Sequence, residues 1–415
     1  MNNLLRELKK SFVASLWFVF LTFPIMVIKV NTVDNIVNWR WNNLVYVFVG
    51  SMILSYVWRT LLSKKERGEK LINFSAILPK KIQSIELKTL FAQKKYSRPA
   101  IAVIFALAIL FPFVAGMYQT GIMTTALMYV ILGLGLNIVI GLGGLLQLGF
   151  AAFYAVGAYT YGILNHRFDL NFWIALPLGA ILATIFGVLL GFPVLRLKGD
   201  YLAIVTLGFA EICRIVLENW NAFSSGPSGI SQIKRPPLFG ISLNIPQSVI
   251  YLYFITFILV LLSIFFVRRL ENSRLGRAWE AMREDAIASE AMGVNLTVAK
   301  LSAFALGAFW AGLVGVLFAA KTTFINPASF TMNESILVLC IIVLGGMGSI
   351  PGVIVGALII VLLPEYLRTF SQFRMLIYGA LLVLMMVFRP EGIIRKVRKN
   401  YIFEVDKTSP GAVHE

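Results

Sequence analysis

The sequence predicts an all-α polytopic membrane protein with about 10–12 transmembrane helices, some of them broken. Three observations carry this. First, 58% of the 415 residues are hydrophobic and only 14% are charged. Soluble domains run at about 45–50% apolar and about 25% charged, so a soluble chain of this make-up could not cover its core. Second, the apolar residues fall in runs near the hydrocarbon thickness, about 20 residues each. Third, the runs do not alternate, which excludes a strand-built barrel. A backbone in lipid must bond internally, so each run reads as helix.

The spans fall near 11–30, 43–62, 99–118, 121–146, 150–165, 172–195, 200–219, 248–267, 301–320, 334–350, 352–368 and 374–388. Arg6, Lys9 and Lys10 precede the first. It lacks a small-x-small cleavage pattern, so it reads as a retained anchor rather than a signal peptide. Between 63 and 98 ten Lys/Arg stand against three Glu, and 268–300 and 389–399 are also basic. Placing these loops and both termini in the cytoplasm fits twelve crossings. Trp39, Trp41 and Trp220 then lie at outer ends as interfacial anchors, and Arg59 reaches back to the headgroups. The net charge of +17 implies contact with anionic membrane lipid and no nucleic acid. Three regions follow: an accessory region 1–98 with two spans and a basic linker, a core 99–390, and a basic tail 391–415.

Two spans carry a small residue at every fourth position: Gly179, Ala183, Gly187, Gly191, and Ala303, Gly307, Ala311, Gly315, Ala319. Such stripes let helices approach closely and read as packing seams. Two others are interrupted. Asn137-Ile-Val-Ile-Gly141-Leu-Gly143-Gly144-Leu-Leu-Gln147 and Leu344-Gly345-Gly346-Met-Gly348-Ser349-Ile350-Pro351 each break around a Gly-Gly pair. Breaks are tolerated where protein or a cavity meets the backbone, and paired breaks point to a transporter repeat. Glu211, Arg214 and Glu218 share one helical face and read as an ion-pair ladder, primarily structural. Glu211 is also a path candidate because a charge at mid-span is expensive. Asn137, Gln147 and Glu334, the last at the outer start of its span, are weaker path candidates.

Cys213 and Cys340 sit in apolar runs, which excludes a disulfide framework, and His166 and His414 make a His-built metal site improbable. No catalytic residue, metal or cofactor is expected. A Gly-x-x-x-x-Gly-Lys-Ser/Thr phosphate loop does not occur in the sequence, so the chain should not itself bind ATP.

The polar stretch 272–296 predicts two short helices at the inner surface. Asp285 caps the second and Gly293 ends it. Ala278, Trp279, Ala281 and Met282 form an apolar side that must rest on something. Arg277, Glu280, Arg283 and Glu284 form a polar rim.

Here the sequence resembles the permease subunits of ABC importers, most closely the larger permease subunit of branched-chain amino acid importers. The resemblance rests on Gly135-Leu-Asn137-Ile-Val-Ile-Gly141, Phe153-Tyr-Ala-Val-Gly-Ala-Tyr159, Arg196-Leu-Lys-Gly-Asp200-Tyr-Leu-Ala-Ile-Val-Thr-Leu-Gly208, Gly276-Arg-Ala-Trp-Glu280 and Val343-Leu-Gly-Gly-Met-Gly-Ser-Ile-Pro-Gly352. It implies an ABC importer permease fold in a bacterial inner membrane. It implies import of leucine, isoleucine and valine beside a second, smaller permease, two cytoplasmic ATP-binding subunits and a periplasmic amino-acid-binding protein. The ATPases would dock on Gly276, Arg277, Ala278, Trp279, Glu280, Ala281, Met282, Arg283, Glu284, Asp285, Glu290, Ala291 and Gly293. The path or gate would involve Asn137, Gln147, Glu211, Arg214, Gly226, Pro227, Gly229, Glu334, Gly345 and Gly346. Two departures stand out: Ser224-Ser225-Gly226-Pro227 replaces an expected Thr-Gly-Gly-Pro run, and Gln147 replaces a common acidic residue. A permease for urea or short amides shares the fold, and an ion-coupled carrier is the alternative of a different class.

Overall fold

The computed structural model describes residues 2–31, 36–66, 105–195, 197, 199–237, 244–370, 376, 379–380, 383 and 392–394. The linker after Glu66, most of the span expected at 374–388 and the tail beyond 394 lie outside the described residues. The chain forms two compact units, 1–105 and 106–415.

In the first unit, α1 (Asn2–Met26) and α2 (Trp41–Glu66) flank an antiparallel hairpin of β1 (Ile28–Asn31) and β2 (Ile36–Trp39). Ile28 pairs with Trp39 and Asn31 with Ile36. The sequence reading carried the first helix to residue 30 and expected no strand. β-Branched Ile28, Val30, Ile36 and Val37 instead favour the pleated backbone. The Phe12 and Phe48 rings meet edge-on at 5.5 Å across α1 and α2.

The second unit is all-α. A short helix, Phe105–Val114, leads through a break at 115–116 into α3 (Met117–Asn137). Then come α4 (Phe150–Phe168), α5 (Phe172–Val194), α6 (Asp200–Asn219) and α7 (Ile245–Glu271). Two short helices follow, α8 (Arg274–Glu284) and α9 (Ala286–Ala291), then α10 (Leu296–Thr322), α11 (Met332–Gly345) and α12 (Ile350–Tyr366). Among the described residues five helical stretches are long and apolar enough to cross a bilayer, and Lys10–Phe23, Phe105–Val114 and Ile350–Tyr366 are shorter apolar helices. Other expected crossings are more polar: α6 alone carries Asp200, Glu211, Arg214 and Glu218.

α4, α5 and α10 form the centre. Their helix axes approach closely because glycines meet backbone. Gly157 faces the backbone of Gly312, and Gly315 faces that of Tyr154 and Ala158. A Cβ added at Gly187 would stand 2.6 Å from Ala308 Cβ, and one at Gly312 would stand 2.5 Å from Ala183 Cβ. Both small-residue stripes of the sequence therefore lie in this seam, where close approach replaces the hydrophobic driving force that lipid removes.

Both expected breaks are present, with different local form. The first begins as a π-helical turn, Ile138–Leu142, and runs into irregular backbone up to Gly149. Such turns insert one residue into a helix and recur at functional sites. The second is the turn 346–349, and it falls before Pro351 rather than at it. Pro351 sits in the first turn of α12, where a missing N–H goes unneeded. Gly346 has φ 115, a conformation that side chains resist.

The seam yields a test. Gly157→Val should destabilise the chain by about 1–3 kcal/mol or more, as overpacking does. Gly208→Ala, whose new methyl meets nothing within 4 Å, should leave stability unchanged or slightly raised. Thermal unfolding in detergent compares the two; equal losses would remove the seam from the account.

Candidate functional site

Two ends of the second unit can be told apart without reference to a membrane. One end carries α8 and α9, joined to the end of α7 and the start of α10. The other carries the start of α3, the start of α7 and the end of α10.

At the first end, α8 begins at an N-cap Ser273 whose side chain accepts from Gly276 N at 3.2 Å. Asp285 then caps α9, its side chain accepting from Ile287 N at 2.9 Å and Ala288 N at 3.0 Å. Gly293 follows with φ 85, the left-handed backbone expected of a helix-ending glycine. Trp279 is fully buried and its indole N–H donates to Ala299 O at 2.9 Å and to Ser302 Oγ at 3.2 Å. Met282 is buried in the same core. The sequence reading offered the Trp279 and Met282 side of α8 to a partner. In the structure Trp279 and Met282 of that side pack in the chain's own core, with Trp279 bonded to α10. Gly276 sits tightly against the backbone of Leu270 and Glu271, and Ala278, Glu280 and Ala281 are half-buried. The exposed side holds Arg277, Glu284, Asp285, Glu290 and Ala291. Ile287 is 72% exposed and Met292 85% exposed, two large apolar side chains that the sequence reading did not select. Their position on the open side of so short a helix could be recognised only once Trp279 was known to point inward.

Arg283 is exposed on the same helix, and its guanidinium also reaches the π turn, where it donates to the carbonyl of Gly141. Its stem packs against Gly144. Asn137, buried one turn earlier, accepts from Gly348 N at 2.9 Å. The two breaks therefore touch. On the far side of the second break, Ile393 N donates to Leu344 O at 2.9 Å and Ile394 N to Gly345 O at 3.0 Å. Gly345 itself packs on Gly352. Gln147 lies in the irregular stretch, 1% exposed, and both atoms of its side-chain amide lack a hydrogen-bond partner.

The other path candidates lie elsewhere. Glu334 accepts a 2.5 Å hydrogen bond from the Tyr129 hydroxyl. Tyr129 is twelve residues into α3, or about 18 Å along a helix rising about 1.5 Å per residue. Glu334 thus sits deep in the bundle rather than at its outer edge, because 323–331 dips inward before α11 starts. Gly226, Pro227 and Gly229 form a tight turn beside the one-turn helix Asn221–Ser224, and Ile230 bridges to Ile325 at 2.8 and 3.0 Å. Arg214 does form the ladder, donating to Glu211 at 2.7 Å and Glu218 at 2.6 Å. It is not buried, however: the Glu211 and Glu218 side chains are 40% and 41% exposed. The ladder lies on an open face of α6 with Tyr201, Ile204 and Ile215. Among the described residues no group of three His, Cys, Asp or Glu could hold a metal ion.

Long apolar helices, interrupted backbone bonded within the protein, and an amphipathic pair of surface helices tied to one interruption define a membrane transport permease. A family model described as the branched-chain amino acid transport system permease component matches residues 118–388, and the chain belongs to that family. It is 42% identical, over 87% of each chain, to the high-affinity branched-chain amino acid transport system permease protein LivM of Escherichia coli K12. It is 26% identical to a probable branched-chain amino acid transport permease protein LivM of Methanocaldococcus jannaschii, over 64% of this chain and 90% of that one. It is also 26% identical to LivH of Escherichia coli K12, over 64% of this chain and 91% of that one. No solved structure matches it. The chain is a multi-pass inner-membrane permease subunit of a branched-chain amino acid ABC importer.

The contact between the breaks yields a prediction. Asn137→Ala leaves the buried Gly348 N–H without an acceptor and should cost about 1–3 kcal/mol. Thermal unfolding measures the loss. A variant as stable as the parent would show that the bond between the breaks carries no weight.

Proposed function

We propose that Arg283 is the strut through which ATP-driven movement reaches the two helix breaks. In this reading two ATP-binding subunits seat on the open side of α8 and α9. Ile287 and Met292 supply apolar anchors, and Arg277, Glu284, Glu290 and Ala291 surround them. A buried core with a polar rim is the usual anatomy of such contacts. The single observation that supports the strut is the hydrogen bond from Arg283 to the Gly141 carbonyl. A push on α8 is transmitted to the π turn, and from there through Asn137 to the turn 346–349.

The α8–α9 end is then cytoplasmic, together with both termini and the basic stretches 63–98, 268–300 and 391–415. Residues 1–98 form an accessory membrane region. A second, smaller permease covers the open face of α6. Charges exposed to hydrocarbon are expensive, so Glu211, Arg214 and Glu218 face that partner and the conduit between the two subunits. The cargo of this route is leucine, isoleucine and valine, delivered at the other end by a periplasmic amino-acid-binding protein. The turn Gly226–Gly229 belongs to the outer half of the route, and Glu334 with Tyr129 lies near its middle. Gly345 and Gly346 belong to the inner gate.

Two variants separate docking from coupling in the assembled importer. The pair Ile287→Asp and Met292→Asp should abolish recovery of the ATP-binding subunits on pull-down, since an unpaired charge is costly to bury. Arg283→Ala should keep those subunits and their ATP hydrolysis but lower leucine uptake by about 5- to 150-fold, the span of ordinary coupling free energies. Uptake and hydrolysis falling together in Arg283→Ala would refute the strut.

A further inference from the structure

A cavity of about 600 Å3 opens between the start of α3, the start of α7 and the end of α10. Its walls are mostly apolar, with Met117, Ile122, Val249 and Leu252 among them. Two cations nevertheless line it, Arg235 and Lys321. Both are half-buried. Among the described residues neither has a carboxylate within ion-pair distance. Lys321 Nζ donates to Thr125 Oγ1, which uses one of its three N–H groups. Glu365 reaches Tyr118 at the rim, but it is paired with Arg368 at 3.5 Å.

Two uncompensated cations beside apolar walls call for an anion with an apolar body. A free amino acid fits poorly. It brings an ammonium beside its carboxylate, and no carboxylate lines the cavity to meet it. A zwitterionic lipid has the same defect. The three helices contribute only residues near their ends: 117–125 of α3, 248–252 of α7 and the last turn of α10. That is where helices leave hydrocarbon for the headgroup layer. We infer that this cavity binds an anionic phospholipid, its phosphodiester between Arg235 and Lys321 and its acyl chains along Val249 and Leu252. Thr124 and Thr125 donate their own hydroxyls to Thr120 O at 2.8 Å and Gly121 O at 3.1 Å, so the two cations supply the donors to the phosphate. The inference is independent of the strut through Arg283; the orientation proposed above decides only that the lipid belongs to the outer leaflet.

The test uses the full chain in detergent and native mass spectrometry, with phosphatidylglycerol or phosphatidylcholine of identical acyl chains. The parent should retain phosphatidylglycerol in preference to phosphatidylcholine. Arg235→Gln and Lys321→Gln should each lower phosphatidylglycerol retention about fivefold, close to the ~1 kcal/mol expected per basic residue at a membrane surface. Phosphatidylcholine retention should not change. Arg235→Lys should restore binding. Arg235 lies in an irregular loop, so that variant decides the matter even if Lys321→Gln fails to fold. Equal retention of the two lipids by the parent, or unchanged phosphatidylglycerol retention in Arg235→Gln, would overturn the inference. So would displacement of the lipid by leucine, which would make the cavity an amino acid site.

Discussion

The structure depends on how free backbone groups are satisfied where its long helices break. A buried N–H or C=O left unmet costs about 1–3 kcal/mol, and lipid offers no partner in place of water. The chain meets this with partners drawn from distant parts of its sequence. Asn137 accepts the Gly348 N–H, Arg283 caps the Gly141 carbonyl, and the backbone at 393–394 pairs with Leu344 and Gly345. The breaks therefore form one bonded cluster rather than two isolated defects. In the proposed function this cluster is what receives the force applied to α8.

The seam of α4, α5 and α10 provides the opposite property. Backbone-to-backbone contact at Gly157, Gly312 and Gly315 leaves no slack. Close-packed interiors transmit strain instead of absorbing it. Trp279 fastens α8 to α10 through Ala299 and Ser302, so the short helix is anchored to this rigid body at one point and to the π turn at another. Gln147, buried with an unpartnered amide in the first break, marks where this arrangement is incomplete. A buried amide of this kind is costly unless another conformational state or another molecule meets it.

Much of this was readable in the sequence, and the exceptions have physical causes. Small residues every four positions identify the seam because helix geometry puts them on one face. Asp285 and Gly293 mark the ends of α9 because capping and left-handed backbone demand particular residue types. The two Gly-Gly breaks are visible because glycine and proline disturb helices. The hairpin at 28–39 was missed, since a short β-branched run beside an apolar helix reads as its continuation. What the apolar side of α8 rests on is open in the sequence, because tryptophan and methionine suit a partner's groove and a chain's own core equally well. Arg283 and Asn137 act across 142 and 211 residues of sequence, and no local pattern reveals such a pairing. The depth of Glu334 likewise depends on the dip at 323–331, which is a tertiary feature.

The central claim is that the surface helices and the second break move together. Amide hydrogen exchange in the assembled importer, with and without ATP, tests it most directly. The account predicts that the amides of 345–349 change protection in the same nucleotide state as those of 276–293, because the Arg283–Gly141 and Asn137–Gly348 bonds connect them. A change confined to 276–293, with 345–349 equally protected in both states, would contradict it.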